Sequence, residues 1–186
     1  SVDDIVINNT ITIPTIRRQR PEKDKPFLSI ADFVGEQDAN DRISLFAVTV
    51  GEDIRNAIDD AAGKSEYIAM VAQAIADRLA EAATEWLHRH ISGGKGIRPA
   101  IGYQSLPDQS LVFIADRLIN YKDLGIQLTE NGAMYPQAST TGLFIYRDDA
   151  VYFTVGPIDA EQFADYTMRR GISAEKMKTF LRVSEQ

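Results

Sequence analysis

Cysteine is absent from the 186 residues. The chain therefore has no disulfide framework, no thiolate metal site and no cysteine nucleophile. Histidine is nearly absent, with only His88 and His90. Two positions apart on a helix, these do not face each other. No third convergent ligand accompanies them, so no zinc or iron site is expected. Long apolar runs are missing as well: none approaches the roughly 20 residues that a membrane-spanning helix needs. The opening residues hold Asp3 and Asp4 and lack the basic start of a secretory signal. These absences are compatible with a cytoplasmic location and no membrane partner. Net positive charge is lacking too. Twenty Lys+Arg against 27 Asp+Glu give a formal charge of −7, whereas nucleic-acid binding leaves a basic footprint. No phosphate loop, Ser-His-Asp set or pair of catalytic carboxylates stands out, so no catalytic residue is assigned.

What is present is the composition of an ordinary globular domain, 44% hydrophobic and 25% charged. Residues 4–16 alternate apolar and polar at Ile5, Ile7, Ile11 and Ile13, a strand signal broken at Asn8-Asn9. Pro14 and Pro21 then bracket a polar stretch holding Arg17, Arg18, Arg20, Lys23 and Lys25. It suits either a solvated connector or a contact strip for an acidic partner. The expected division is thus a strand-like extension and linker over 1–25 and one domain over 26–186.

Within that domain, residues 44–50 predict a buried strand and 52–62 a short polar helix. Ser65 is placed to cap a long helix over 66–90 that Gly93-Gly94 ends. Its apolar positions Val71, Ile75, Leu79, Ala82 and Trp86 step by 4, 4, 3 and 4, which reads as one buried stripe. Asp77, Glu81 and Glu85 form an acidic row off that stripe, with Arg78 and Arg89 placed to offset it. Asp108 or Ser110 can start a helix that Gly125 closes. Strand-like segments follow near 127–129, 142–146 and 151–155, and the turn at 147–150 joins the last two as an expected hairpin. Asp159 with Gln162 caps a helix ending at Gly171, and Ser173 caps a final helix to about 182. Strands in runs with helices between them predict an α+β fold with a mainly antiparallel sheet.

The most distinctive stretch is Gly96-Ile97-Arg98-Pro99-Ala100-Ile101-Gly102-Tyr103, followed by Pro107-Asp108. Glycine lets backbone approach a ligand closely, proline stiffens the flanks, and Arg98 offers a planar fork of donors to a carboxylate or phosphate. The segment suits a rigid loop that holds a small anionic or zwitterionic ligand. It equally suits a structural turn with Arg98 in a surface ion pair.

This loop resembles the Arg-x-x-x-Gly-Tyr signature of the S-adenosylmethionine-binding activation domain of cobalamin-dependent methionine synthase. Further blocks are similar to the same family in the same order: 31–34 (Ala-Asp-Phe-Val), 45–49 (Leu-Phe-Ala-Val-Thr), 76–82 (Ala-Asp-Arg-Leu-Ala-Glu-Ala), then Leu128-Thr129-Glu130 with Ala133, Met134 and Pro136. The resemblance runs from about Phe27 to Val183. It implies a methionine synthase activation-domain-like fold and a methyl-donor site. In that site Asp32, Glu81, Arg98, Ala100, Gly102, Tyr103 and Tyr152 would bind S-adenosylmethionine, and Arg98 would take its α-carboxylate. Met134 and Tyr135 would face cobalamin, with core packing as their other reading. The implied role is reductive remethylation of cob(II)alamin in methionine biosynthesis. A cobalamin-binding methionine synthase would supply the cofactor in trans, and a one-electron reductant such as flavodoxin the electron. The chain would be an accessory component of that methyltransferase, which leaves open whether it is itself an enzyme. One departure stands out: the family's longer insertion before the arginine loop, with its acidic ligand, is replaced by Ile91-Ser92-Gly93-Gly94-Lys95. That leaves open a non-catalytic module of the same fold that docks on a corrinoid protein or senses a metabolite.

Overall fold

The computed structural model describes residues 2–8, 10–20, 23–35 and 42–182. The chain opens with a hairpin, β1 (Asp4–Ile7) against β2 (Ile11–Pro14), with Ile5 opposite Ile13. Of the break expected at Asn8-Asn9, Asn8 lies in a turn directly after β1, and Asn9 lies outside the described residues. Ile5, Ile13 and Ile16 are 2–3% exposed and belong to the same apolar core as Ile30, Leu111 and Phe180. The hairpin residues thus pack in the same core as residues beyond position 26. Apolar alternation had marked a strand correctly, but it carries no information about which surface the strand covers.

The polar stretch after β2 is also used inward. Arg17 donates to both oxygens of Asp32 at 2.6–2.7 Å and to Asp3 at 2.9 Å. Arg18 lies over the Phe153 ring, 5.8 Å from its centre. Asp32 also accepts from the backbone N–H of Ser29, closing a capping box on the 3-10 turn Ile30–Phe33. Burial opposes ionisation of Asp32, but the Arg17 hydrogen bonds, the Ser29 N–H and the Arg17 charge outweigh it and hold its pKa below the ordinary value. A carboxylate whose pKa is lowered by folding stabilises the protein above its unfolded pKa, about 3.9, and loses that contribution as pH falls through the folded value. Asp32→Asn should therefore unfold more easily than the parent at pH 7, with the gap closing below about pH 4. Urea midpoints across pH measure this; a constant gap from pH 7 to pH 3 would refute it.

The central sheet pairs β3 (Ile43–Thr49) with β6 (Ser139–Ile145) in antiparallel register, Phe46 opposite Gly142. A second short ladder joins β4 (Gln127–Leu128) to β5 (Met134–Tyr135). The α+β architecture with antiparallel sheets is as expected, but the second hairpin is not formed. Residues 151–155 do not pair with β6, whose neighbours are β3 and the arginine loop. They run extended beside residues 104–105. Val155 donates to the Gln104 carbonyl at 2.9 Å, and the Ser105 hydroxyl bonds the backbone of Phe153.

Among the described residues, five α-helices accompany these sheets: α1 (Glu52–Ala62), α2 (Glu66–Ser92), α3 (Val112–Ile119), α4 (Ala160–Arg170) and α5 (Ala174–Leu181). Side chains of Ser65, Asp159 and Ser173 accept from the backbone at the starts of α2, α4 and α5. Gly93 and Gly171 close α2 and α4 in the left-handed conformation. Asn120, not Gly125, caps α3; Gly125 ends the 3-10 turn Tyr121–Leu124 that follows. The Tyr121 hydroxyl donates to Thr141 Oγ1, whose own hydrogen goes to the Phe46 carbonyl, and burial pushes Tyr121 up to about 12.

The expected stripe of α2 is on the wrong side. Ile75, Leu79 and Trp86 are 48–63% exposed, whereas Ala76, Ala80, Thr84 and His88 are buried against the sheet. The reason is space. Phe46 stacks on Phe144 at 4.6 Å, and Phe144 on the His88 ring at 5.2 Å. These rings fill the gap between helix and sheet, so only small side chains fit beside them. His88 Nε2 faces the Lys95 carbonyl at 2.9 Å and so carries its proton, tying the helix end to the start of the arginine loop. His90 stacks on Trp86. No group of three or more metal-ligating residues occurs among the described residues, and no described helix is long and apolar enough to cross a membrane.

Candidate functional site

The arginine loop is tied to the central sheet by isolated bridges. Ile97 and Ala100 bridge to Ile145 and Gly142 of β6. Ile97 exchanges two hydrogen bonds with Ile145 (2.9 and 3.0 Å), Leu143 donates to the Pro99 carbonyl (3.0 Å), and Ile101 donates to Thr141 (2.9 Å). This close approach needs glycine on both sides. Gly96 sits at φ +74°, and a Cβ there would lie 1.8 Å from the Ile145 oxygen; a Cβ on Gly142 would lie 2.3 Å from the Pro99 oxygen. Gly102 then turns the chain, its N–H donating to the Leu106 carbonyl at 2.8 Å. Its role is in the turn rather than in the cleft wall.

Between this loop, α2 and the start of β6 lies a cleft of about 820 Å³. From α2 it receives Asp77, Ala80, Glu81 and Thr84; from the loop, Arg98, Ala100 and Tyr103; from the chain entering β6, Gln137, Ser139 and Thr140. Tyr152 completes the rim, and its hydroxyl accepts from the Arg98 N–H at 2.8 Å. Five of the residues expected from the sequence thus converge: Glu81, Arg98, Ala100, Tyr103 and Tyr152. Asp32 does not line the cleft, because its carboxylate is committed to Arg17 and Ser29 in the N-terminal layer. Met134 packs partly buried against the core. Tyr135 is half-exposed, with its hydroxyl accepting from Arg55 at 2.8 Å. Both lie in β5, just before the cleft residues 137–140.

The cleft carries charge of both signs. Arg78, Arg98 and Arg182 bring positive charge, and Asp77 and Glu81 bring carboxylates. Glu81 pairs with Arg78 at 2.6 Å, and Asp77 accepts from Gln73. The Arg98 guanidinium is held by Glu85 at 2.5 Å, and Glu85 also takes Arg89 at 2.8 Å. Those two arginine hydrogen bonds hold Glu85 below the usual carboxylate range. Both readings of the loop are therefore present together: Arg98 lines the cleft and is also paired with Glu85, which lies outside the lining. Sequence reading missed Asp77, Thr84 and the residues 137–140. Asp77 and Thr84 carried a signal, since they sit beside the buried small-residue stripe of α2; the polar run Gln137-Ala138-Ser139-Thr140 carried none.

An open cleft of this size, with a tyrosine-lined rim, charges of both signs and an arginine on a sheet-bridged loop, suits one small zwitterionic ligand. The family model for the activation domain of vitamin B12 dependent methionine synthase matches residues 1–94 and 92–171, and the chain belongs to that family. The match takes in the first 25 residues, which the motifs alone had left outside. A solved structure described as the MetH reactivation domain bound to AdoHcy is similar at a TM-score of 0.83 and 30% identity, covering 93% of this chain. This chain spans 61% of that one.

Proposed function

We propose that the cleft binds S-adenosylmethionine and that the protein supports reductive remethylation of cob(II)alamin on a cobalamin-binding methionine synthase partner. The observation that carries this reading is that Arg98 lines one tyrosine-rimmed cleft together with Asp77 and Glu81. Arg98 takes the α-carboxylate of the ligand, in exchange for or beside Glu85. Asp77 and Glu81 face the α-ammonium and sulfonium charges. Tyr103, 70% exposed, and Tyr152, 59% exposed, offer ring faces to the adenine. The backbone at Ala100, pinned to Gly142, sets the floor. No side chain need act as acid or base: the protein orients the donor. When bound to its partner, cobalamin supplies the cobalt that receives the methyl group, and a one-electron reductant supplies the electron.

Arg98→Ala removes a charge-assisted pair worth about 1.5–3 kcal/mol, which is about 10- to 150-fold in affinity. Arg98→Lys should also weaken binding, because a point charge replaces a fork. Calorimetry with S-adenosylmethionine reads both, and unchanged affinity in the two variants removes Arg98 from the site. The Glu85 clamp on Arg98 favours a second reading, a docking or sensing module that does not deliver a methyl group. Mixing the protein with cobalamin-loaded methionine synthase lacking its own activation domain, S-adenosylmethionine and a reductant separates the two. Recovery of the methylcobalamin spectrum only when this chain is present supports the first reading; tight ligand binding without recovery supports the second.

A further inference from the structure

A second groove, of about 940 Å³, opens beside the cleft and shares Gln104 and Arg182 with it. Its floor is apolar, formed by Pro107, Val155, Pro157, Ile158, Phe163 and Leu181. Its rim is cationic, carrying Arg20, Lys178 and Arg182. The single carboxylate present, Asp159, is used as the N-cap of α4, where it accepts from Gln162 N at 2.8 Å. Arg20 and Arg182 make no ion pair among the described residues. Three cations around one groove are unexpected in a chain of net charge −7.

The polar groups of the groove do not converge as those of a small-molecule site do. Thr154 bonds Gln104 at 3.0 Å, so these two answer each other rather than a ligand. An apolar centre within a charged rim is instead the anatomy of a protein-docking surface, and charge of one sign selects a partner of the other. Arg20 comes from the basic stretch after β2. There Arg17 and Arg18 turn inward to Asp32 and Phe153, which leaves Arg20 facing the groove.

We propose that this groove docks an acidic segment, bearing apolar side chains, of the protein that carries the methyl acceptor. The proposal rests on the reading above that the acceptor is held by another protein. It places that protein beside the mouth of the donor cleft, with Arg182 at the junction.

The test uses the whole chain and a cobalamin-loaded methionine synthase lacking its own activation domain, immobilised and titrated at rising salt. Arg20→Glu and Lys178→Glu should each weaken the complex at least about tenfold at low salt and flatten its salt dependence, as loss of a steering contact does. Arg20→Lys should keep most of the binding. Neither position lines the donor cleft, so calorimetric affinity for S-adenosylmethionine should be unchanged. Complex affinity and salt slope indifferent to both reversals overturn the proposal. So does a wild-type chain that binds S-adenosylmethionine but never the partner. Reversals that weaken S-adenosylmethionine instead make the groove part of the ligand site and also overturn it. If the partner docks with the expected sensitivity while S-adenosylmethionine does not bind, the groove stands and the donor assignment fails.

Discussion

Arg170→Met should lower the free energy of unfolding by about 3–5 kcal/mol, the cost of leaving a buried charge without its partner. Asp108 is 0% exposed. Its Oδ1 accepts from Ser110 N at 2.8 Å, and its Oδ2 from Tyr166 Oη at 2.7 Å and Arg170 Nε at 2.9 Å. Arg170 also donates to Ser110 Oγ at 2.6 Å. Burial first, and then the Asp108 charge, push the Tyr166 hydroxyl well above its ordinary pKa, so it stays a donor. This network joins α4 to the turn after the arginine loop, and methionine fills the space while removing both donors. Urea unfolding followed by circular dichroism measures the loss. Adding Asp108→Asn to the variant should recover part of it, because the stranded charge is gone. A loss no larger than the ~1 kcal/mol of an exposed ion pair would show that the pair is not sequestered as described.

Gly96→Ala should be comparably damaging and should also remove ligand binding. The new Cβ would lie 1.8 Å from the Ile145 carbonyl oxygen, which is backbone and cannot step aside alone. The φ of +74° adds a left-handed penalty of roughly 1–2 kcal/mol for any L-residue. Overpacking adds about 1–3 kcal/mol more. Relief requires the loop to leave β6 and take Arg98 with it. Thermal denaturation and calorimetry on the same sample read the two effects. A variant of parental stability that still binds S-adenosylmethionine would mean that the loop is not pinned to the sheet at that point.

The parts of this fold that were legible in the sequence are those fixed by neighbours in the chain. Ser65, Asp159 and Ser173 cap their helices with bonds to residues three positions on, so spacing alone revealed them. The alternation in residues 151–155 was legible too, since Phe153 and Val155 are buried and Val151, Tyr152 and Thr154 exposed, but the expected strand does not form. Their neighbours, Gln104 and Ser105, lie nearly 50 positions away, and nothing in the local pattern names them. The buried face of α2 was misread because amphipathic patterning ranks residues by apolarity. Here the Phe46–Phe144–His88 stack makes size the deciding property, and alanine wins over leucine. In the site, Arg98, Ala100 and Tyr103 were legible as a contiguous motif. Asp32 belonged to a family block but is claimed by Arg17, fifteen residues earlier, a pairing that only the folded hairpin creates.

The β6 ladder along residues 97–101 also sets the tempo of the cleft. A loop whose amides are bonded into the central sheet opens only when that sheet opens, an event of microseconds or longer. The exposed ring of Tyr103 reorients in picoseconds to nanoseconds, as surface side chains do, whereas Tyr152 is tethered through its hydroxyl to the Arg98 N–H. Accommodation of an incoming molecule therefore falls to the fast Tyr103 side of the rim, while the slow wall keeps the Arg98 backbone in register throughout.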